Sequence, residues 1–199
     1  MELRAARALL GDRDASDSVA LSLSGDAVLN LLGMMAHFSG DEAEADALLA
    51  EATSKSAGAP TRMIVTAFGR SWLAASRGDA STCAVEAEEC ARLGVELEYP
   101  AYIGMGQILS GWAAAMRGDP SGVKAADAAY ATYVSDGTRL HTTLFSMLRA
   151  EAHARHGGPD RARQLVWEAR QVTAETGERS LGPRLLALAD ELAGAANTP

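Results

Sequence analysis

The sequence predicts an all-α chain built from repeated helix pairs, and three observations predict it. The first is composition: 41 Ala and 23 Leu stand against three Ile and nine Val. Ala and Leu lose little on entering a helix, whereas the β-branched residues that fill strands are scarce. The second is a pair of interleaved glycine series. One runs through Ser39-Gly40-Asp41, Arg77-Gly78-Asp79, Arg117-Gly118-Asp119 and His156-Gly157-Gly158, with Gly40, Gly78, Gly118 and Gly157 spaced 38, 40 and 39 residues apart. The other falls at Gly58, Gly94, Gly137 and Gly177, which lie 18, 16, 19 and 20 residues after the first. The third is proline. Pro60, Pro100, Pro120 and Pro159 each follow a break, where the first turn of a helix tolerates a missing N–H.

Taken in order, these breaks bound helices over about 2–10, 18–38, 42–56, 60–77, 80–93, 100–117, 120–135, 139–156, 159–175 and 181–194. Glycine ends each one because it enters the left-handed conformation cheaply. Within them the apolar period is helical: Ala162, Leu165, Val166 and Ala169 follow the i, i+3, i+4, i+7 stripe. The expected architecture is a right-handed solenoid of four antiparallel helix pairs plus terminal helices. Residues 1–16 read as an N-terminal helix closing a preceding repeat. Residues 17–199 read as the repeat domain, with a terminal helix near 181–194. At 199 residues and 20.7 kDa, this is one large domain or a short array.

Charge narrows the function. The chain carries 26 acidic and 18 basic residues, a net −8, and its 16 Arg and two Lys are scattered. A nucleic-acid binder needs a basic face to displace counterions, and none is visible. No apolar run reaches the roughly 18 residues of a membrane span. The start, Met1-Glu2-Leu3-Arg4-Ala5, lacks the basic-then-apolar order of a secretory signal. Two cysteines cannot form a disulfide framework. A soluble, cytoplasmic protein is expected, touching neither nucleic acid nor membrane.

Several residues carry a resemblance. They are Gly111-Trp112-Ala113-Ala114-Ala115-Met116-Arg117-Gly118-Asp119 with Tyr133 and Asp136-Gly137, then Arg149-Ala150-Glu151-Ala152-His153-Ala154-Arg155-His156-Gly157-Gly158-Pro159 with Ala162, Leu165, Ala169 and Thr176-Gly177-Glu178-Arg179. This pattern is similar to the tetratricopeptide-like C-terminal repeat region of bacterial multidomain signalling ATPases. Those proteins carry LuxR-type or winged-helix DNA-binding modules, or class III nucleotide cyclases. The likeness is clearest over residues 60–194. It implies a sensor or partner-docking domain in signal transduction or transcription regulation. The period near 39 departs from the family's roughly 34, and Cys90 and Tyr130 stand where small residues are usual.

Other motifs have plainer readings. Arg77-Gly78-Asp79 and Arg117-Gly118-Asp119 match a cell-adhesion tripeptide, but both fall in repeat register, where Gly bends the chain and Asp caps the next helix. Gly104-Met105-Gly106 lacks the third glycine and preceding strand of a dinucleotide loop. Cys83 and Cys90 are seven residues apart and read as small core residues. His153 and His156 are spaced for a shared metal, yet no Cys or acidic pair accompanies them, so a solvated helix end that complements the dipole is expected. No Walker A sequence, Gly-x-Ser-x-Gly elbow, catalytic carboxylate pair or HExxH occurs. The expectation is therefore no enzyme activity, no cofactor and no metal.

The functional expectation rests on the first helix of each pair. In such arrays it lines the concave groove because its partner packs outside. That register presents Asn30, Met34, His37, Phe68, Trp72, Met105, Ile108, Trp112, Met116 and Met147. Met adapts its shape and Trp supplies large contact area, which suits an amphipathic helix. Trp72 and Trp112 read more readily as core wedged between pairs, since large aromatics at helical spacing usually are core, with Trp112 the more core-like, beside Ala113, Ala114 and Ala115. The expected role is a binding module for another protein or a neighbouring domain. A small-molecule inducer-binding domain and a homo-oligomerisation module are the alternatives.

Overall fold

The computed structural model describes residues 25–138 and 140–196. The expected helix over 2–10, the segment 1–16 and the start of the helix expected over 18–38 lie outside them. Among the described residues there are nine helices and no strand: α1 (Gly25–Phe38), α2 (Glu42–Ser56), α3 (Pro60–Ser76), α4 (Ala80–Glu96), α5 (Pro100–Met116), α6 (Ser121–Ser135), α7 (Thr142–Arg155), α8 (Pro159–Thr176) and α9 (Gly182–Ala196). The chain is all-α.

The breaks work as helix punctuation. Gly78 and Gly118 adopt φ of +75° and +98°, which an L side chain adopts only with strain. The Asp79 carboxylate then accepts from the backbone N–H groups of Ser81 (3.1 Å) and Thr82 (3.0 Å), and Asp119 accepts from Ser121 (2.9 Å). Pro60, Pro100 and Pro159 open α3, α5 and α8 in the first turn. Pro120 instead sits just before α6, at the cap position, and makes no capping bond.

One break differs from expectation. Gly94 does not end its helix; α4 runs on to Glu96, and the left-handed residue is Glu98 at φ +56°. Gly94 serves a close approach, since a Cβ there would stand 2.8 Å from the Ile103 backbone nitrogen. Moving the break to Glu98 puts it 20 residues after Gly78, in line with the 18 to 20 of the other repeats. The repeat is more regular than its glycines.

Consecutive helices pack throughout, and contacts also run along the first helices, α1 to α3 to α5 to α7. The second helices α2, α4, α6 and α8 make no comparable row. The first helices therefore form the tighter, inner side of the stack, and the second helices the outer side. Glycine lets α4, α5 and α6 close on one another: a Cβ on Gly106 would meet the Ala87 carbonyl at 2.6 Å, and one on Gly111 the Ala126 nitrogen at 2.6 Å. The Gly104-Met105-Gly106 run is thus a packing feature inside α5.

Ion pairs tie one pair to the next. Arg77 at the end of α3 reaches back to Asp46 of α2 (2.7 Å) and to Glu42. Within the α3–α4 pair, Arg70 meets Glu86 (2.7 Å). Arg149 of α7 lies 4.2 Å above the Tyr130 ring and bonds Asp127 at 2.6 Å. Burial opposes the Asp127 charge, but the bonds from Arg149 and His153 outweigh it and hold this carboxyl below its usual range. The Tyr130 ring is the platform for that cation.

Candidate binding face on the inner row

The residues expected to line an open groove are mostly internal. Asn30, Met34, Phe68, Trp72, Met105, Ile108, Trp112 and Met147 are all buried, with Trp72 2% and Trp112 0% exposed; His37 and Met116 are partly exposed. This corrects the expectation of an accessible groove floor for those eight. The cause is curvature. His141, at the entry to α7, sets its ring 5.1 Å from both Phe68 and Trp72 of α3, reaching past α5. Arg184 in the first turn of α9 donates to the Ala75 carbonyl at the end of α3 (2.9 Å), 109 residues away. The inner row curls until its own side chains fill it.

One place on this face combines partial exposure with an unmet polar group. Phe68 and Trp72 of α3 stack at 6.2 Å between centroids. Around them stand Phe38 (6.2 Å from Trp72), Tyr102 (6.2 Å from Phe68) and His141, all partly exposed. His37 adjoins Phe38 and bonds the Glu42 carboxylate at 2.8 Å. Beneath this rim the Trp72 indole N–H is buried and has no acceptor. A buried donor left unpaired costs roughly 1–3 kcal/mol, which an incoming acceptor would recover. Burial pushes the His141 imidazole down to about 4, so at neutral pH it is an uncharged ring. His141 also holds a left-handed φ of +55°, a strained state for a residue with a side chain.

Six residues before each turn glycine stand Met34, Trp72, Trp112 and Glu151. The Trp112 indole N–H donates to the Glu151 carboxylate of the following pair at 3.0 Å. Glu151 also receives Arg184 in two bonds of 2.8 Å. Burial outweighs these partners and raises the Glu151 carboxyl above its usual range. Trp72 is followed in register by Trp112, which has no acceptor to offer.

The two histidines read as a solvated helix end are anchored instead. His153 Nε2 lies 2.9 Å from Asp127, and His156 Nε2 lies 2.8 Å from the Ala115 carbonyl. Both are partly buried and join α7 to the preceding pair. Among the described residues, no cluster of three His, Cys, Asp or Glu could hold a metal ion. Cys83 and Cys90 are buried free thiols, each pushed up to about 12 by burial. No helix of the described residues is long and apolar enough to cross a membrane.

Sequence reasoning missed His141 and Trp167. His141 sits in no stripe, only in the loop before α7. Trp167 lies on α8, a second helix, and is 62% exposed. Its signal was legible: the α8 stripe Ala162, Leu165, Val166 and Ala169 leaves position 167 on the opposite face. No family model matches the chain, and no curated protein or solved structure is significantly similar to it.

Proposed function

We propose that this chain is a non-catalytic docking module of the tetratricopeptide-like kind, which takes an apolar peptide segment of a partner protein or neighbouring domain on the inner face of α3. The observation that carries this reading is the indole N–H of Trp72, buried without an acceptor in a ring that the partly exposed Phe38 and His141 contact. An apolar segment gains area from the partly exposed rim rings and, by parting them, brings one of its carbonyls to the free donor; rigid aromatic anchors of this sort dominate binding energy at protein interfaces. The rings of Phe38, Tyr102 and His141 carry no charge at neutral pH, so the part of the segment laid on them is uncharged. By resemblance, the role fits a sensor or partner-docking repeat in a bacterial signalling or transcriptional regulator.

The test uses the ¹⁵N-labelled full chain and two probes: short uncharged hydrophobic peptides and a leucine-rich amphipathic helix. Binding should move the Trp72 indole N–H resonance downfield and leave that of Trp112 in place. Binding that moves only Trp167, or the absence of binding by either probe at millimolar concentration, contradicts the proposal.

A further inference from the structure

On the outer side the second helices do not pack on one another as the first helices do, and arginines reach into the space between them. Eight residues before the turn glycines Gly78 and Gly157 stand Arg70 and Arg149. Arg70 of α3 bridges α2 and α4, donating to Thr53 (3.1 Å) and pairing with Glu86 (2.7 Å). Arg149 of α7 lies on α6, over the Tyr130 ring and bonded to Asp127. In the same register of the middle repeat, eight residues before Gly118, stands Ser110. There a groove of about 640 Å³ is open between α4 and α6, floored by Ser110 and Gly111 of α5 and walled by Ala91 of α4 and Ala125 of α6.

The charged residues that line this groove, Glu88 and Arg117, lack the partners that the neighbouring repeat supplies. Arg117, one residue before Gly118, matches Arg77, one residue before Gly78. Arg77 reaches Glu42 and Asp46, which stand two and six residues after Gly40. Two and six residues after Gly78 stand Ala80 and Ala84, so α4 offers Arg117 no carboxylate there. Glu88 lies one turn beyond Ala84 on the same wall. Both Glu88 and Arg117 are exposed, and neither forms an ion pair among the described residues. The groove is short of a cation over Ser110 and of an anion beside Arg117. It already holds the opposite charge for each.

We infer that the outer groove between α4 and α6 docks a segment of a partner protein that inserts an arginine side chain over Ser110. The inserted guanidinium takes the place that Arg70 and Arg149 fill in the flanking repeats and pairs with Glu88, while a carboxylate of the same segment pairs with Arg117. Arginine suits this position because its planar, permanently charged fork binds carboxylates in a fixed geometry and tolerates an apolar wall. Register and charge, rather than the small residues of the walls, select the occupant. The groove lies on the outer side of the stack, so this inference is independent of the docking face on the inner side of α3.

The probes are short alanine-based peptides carrying one arginine and one glutamate about two to four residues apart, which spans the roughly 6 Å of one α4 turn. Titrated into the ¹⁵N-labelled full chain, at least one should bind below about 1 mM and shift the Ser110 and Gly111 amides. Replacing the peptide's arginine by alanine should weaken binding about tenfold, the loss of one charge-assisted contact. Ser110→Arg supplies the missing side chain from within and should abolish binding with the helical circular dichroism spectrum unchanged. Glu88→Gln, at an exposed position, should weaken it about fivefold. No binding by any of these peptides at millimolar concentration overturns the inference. So does equal binding of the arginine-free peptide, or a Ser110→Arg chain that binds like the native one. A native chain that runs as a dimer by light scattering, with Ser110→Arg a monomer, puts a second copy in the groove and overturns the partner segment as well.

Discussion

Trp72 and Trp112 occupy the same position of successive repeats, both are almost wholly buried, and only one has its indole N–H satisfied. The difference comes from the residue one repeat further on. After Trp112 that residue is Glu151, whose carboxylate accepts; after Trp72 it is Trp112 itself, which cannot. A repeat can keep its shape while its polar ledger changes from pair to pair. The C-terminal half spends its donor on internal structure, joining α5, α7 and α9 through Glu151 and Arg184. The N-terminal half keeps one in reserve, and that is where we place the docking face.

The largest expected effect breaks the structural half of this comparison. Trp112→Ala removes a fully buried ring and the N–H bond to Glu151. It should cost roughly 3–5 kcal/mol, a large share of the about 5–15 kcal/mol by which a domain is stable. Urea denaturation checks it; a native-like midpoint would contradict the core assignment.

Next comes pH. The His141 pKa is about 4 in the folded chain against 6.5 for the free imidazole. The unfolded chain therefore takes up a proton first as pH falls. Stability is fully present above about 6.5 and is lost between there and about 4, by roughly 2–3 kcal/mol. His141→Phe keeps an aromatic ring on Trp72 and Phe68 and should remove that loss. Thermal melts at pH 7 and pH 4.5 for both proteins read the difference.

A smaller effect concerns the acceptor. Glu151→Gln keeps a hydrogen-bond partner for Trp112 but removes the charge facing Arg184, which is partly exposed. A loss of about 1–2 kcal/mol is expected, with α9 the first helix to gain in amide exchange. The smallest effect compares the two identical turns. Asp79 accepts two backbone N–H bonds and Asp119 one. Asp79→Ala should lower the melting temperature slightly more than Asp119→Ala.

Much of the fold was legible because helix ends are local chemistry. Gly40, Gly78, Gly118 and Gly157 mark left-handed turns, and the proline at N1 and aspartate at Asp41 or Asp79 need only their neighbours. Gly94 misled because glycine answers two needs, a turn or a close approach, and sequence does not say which. The site was harder to read. Helical period puts Phe68 and Trp72 one turn apart on α3, where their rings stack. Whether that face is open depends on how tightly the row curls, and this follows from Arg184 reaching Ala75 and His141 reaching Trp72, contacts 109 and 69 residues long. Nothing local encodes them. The missing acceptor at Trp72 was legible in principle, since Trp112 and Glu151 stand in its register, but only once the repeat phase was known.

The most direct test of the account compares Trp72→Phe with Trp112→Phe by denaturation. Both changes remove similar buried ring volume, so the packing cost cancels in the difference. Trp112→Phe also breaks a bond to a charged acceptor, whereas Trp72→Phe removes a donor that had none. Trp112→Phe should therefore be less stable than Trp72→Phe by about 1.5–3 kcal/mol. Equal losses, or a larger loss at Trp72, would contradict the claim that one indole is bonded and the other is held free for a ligand.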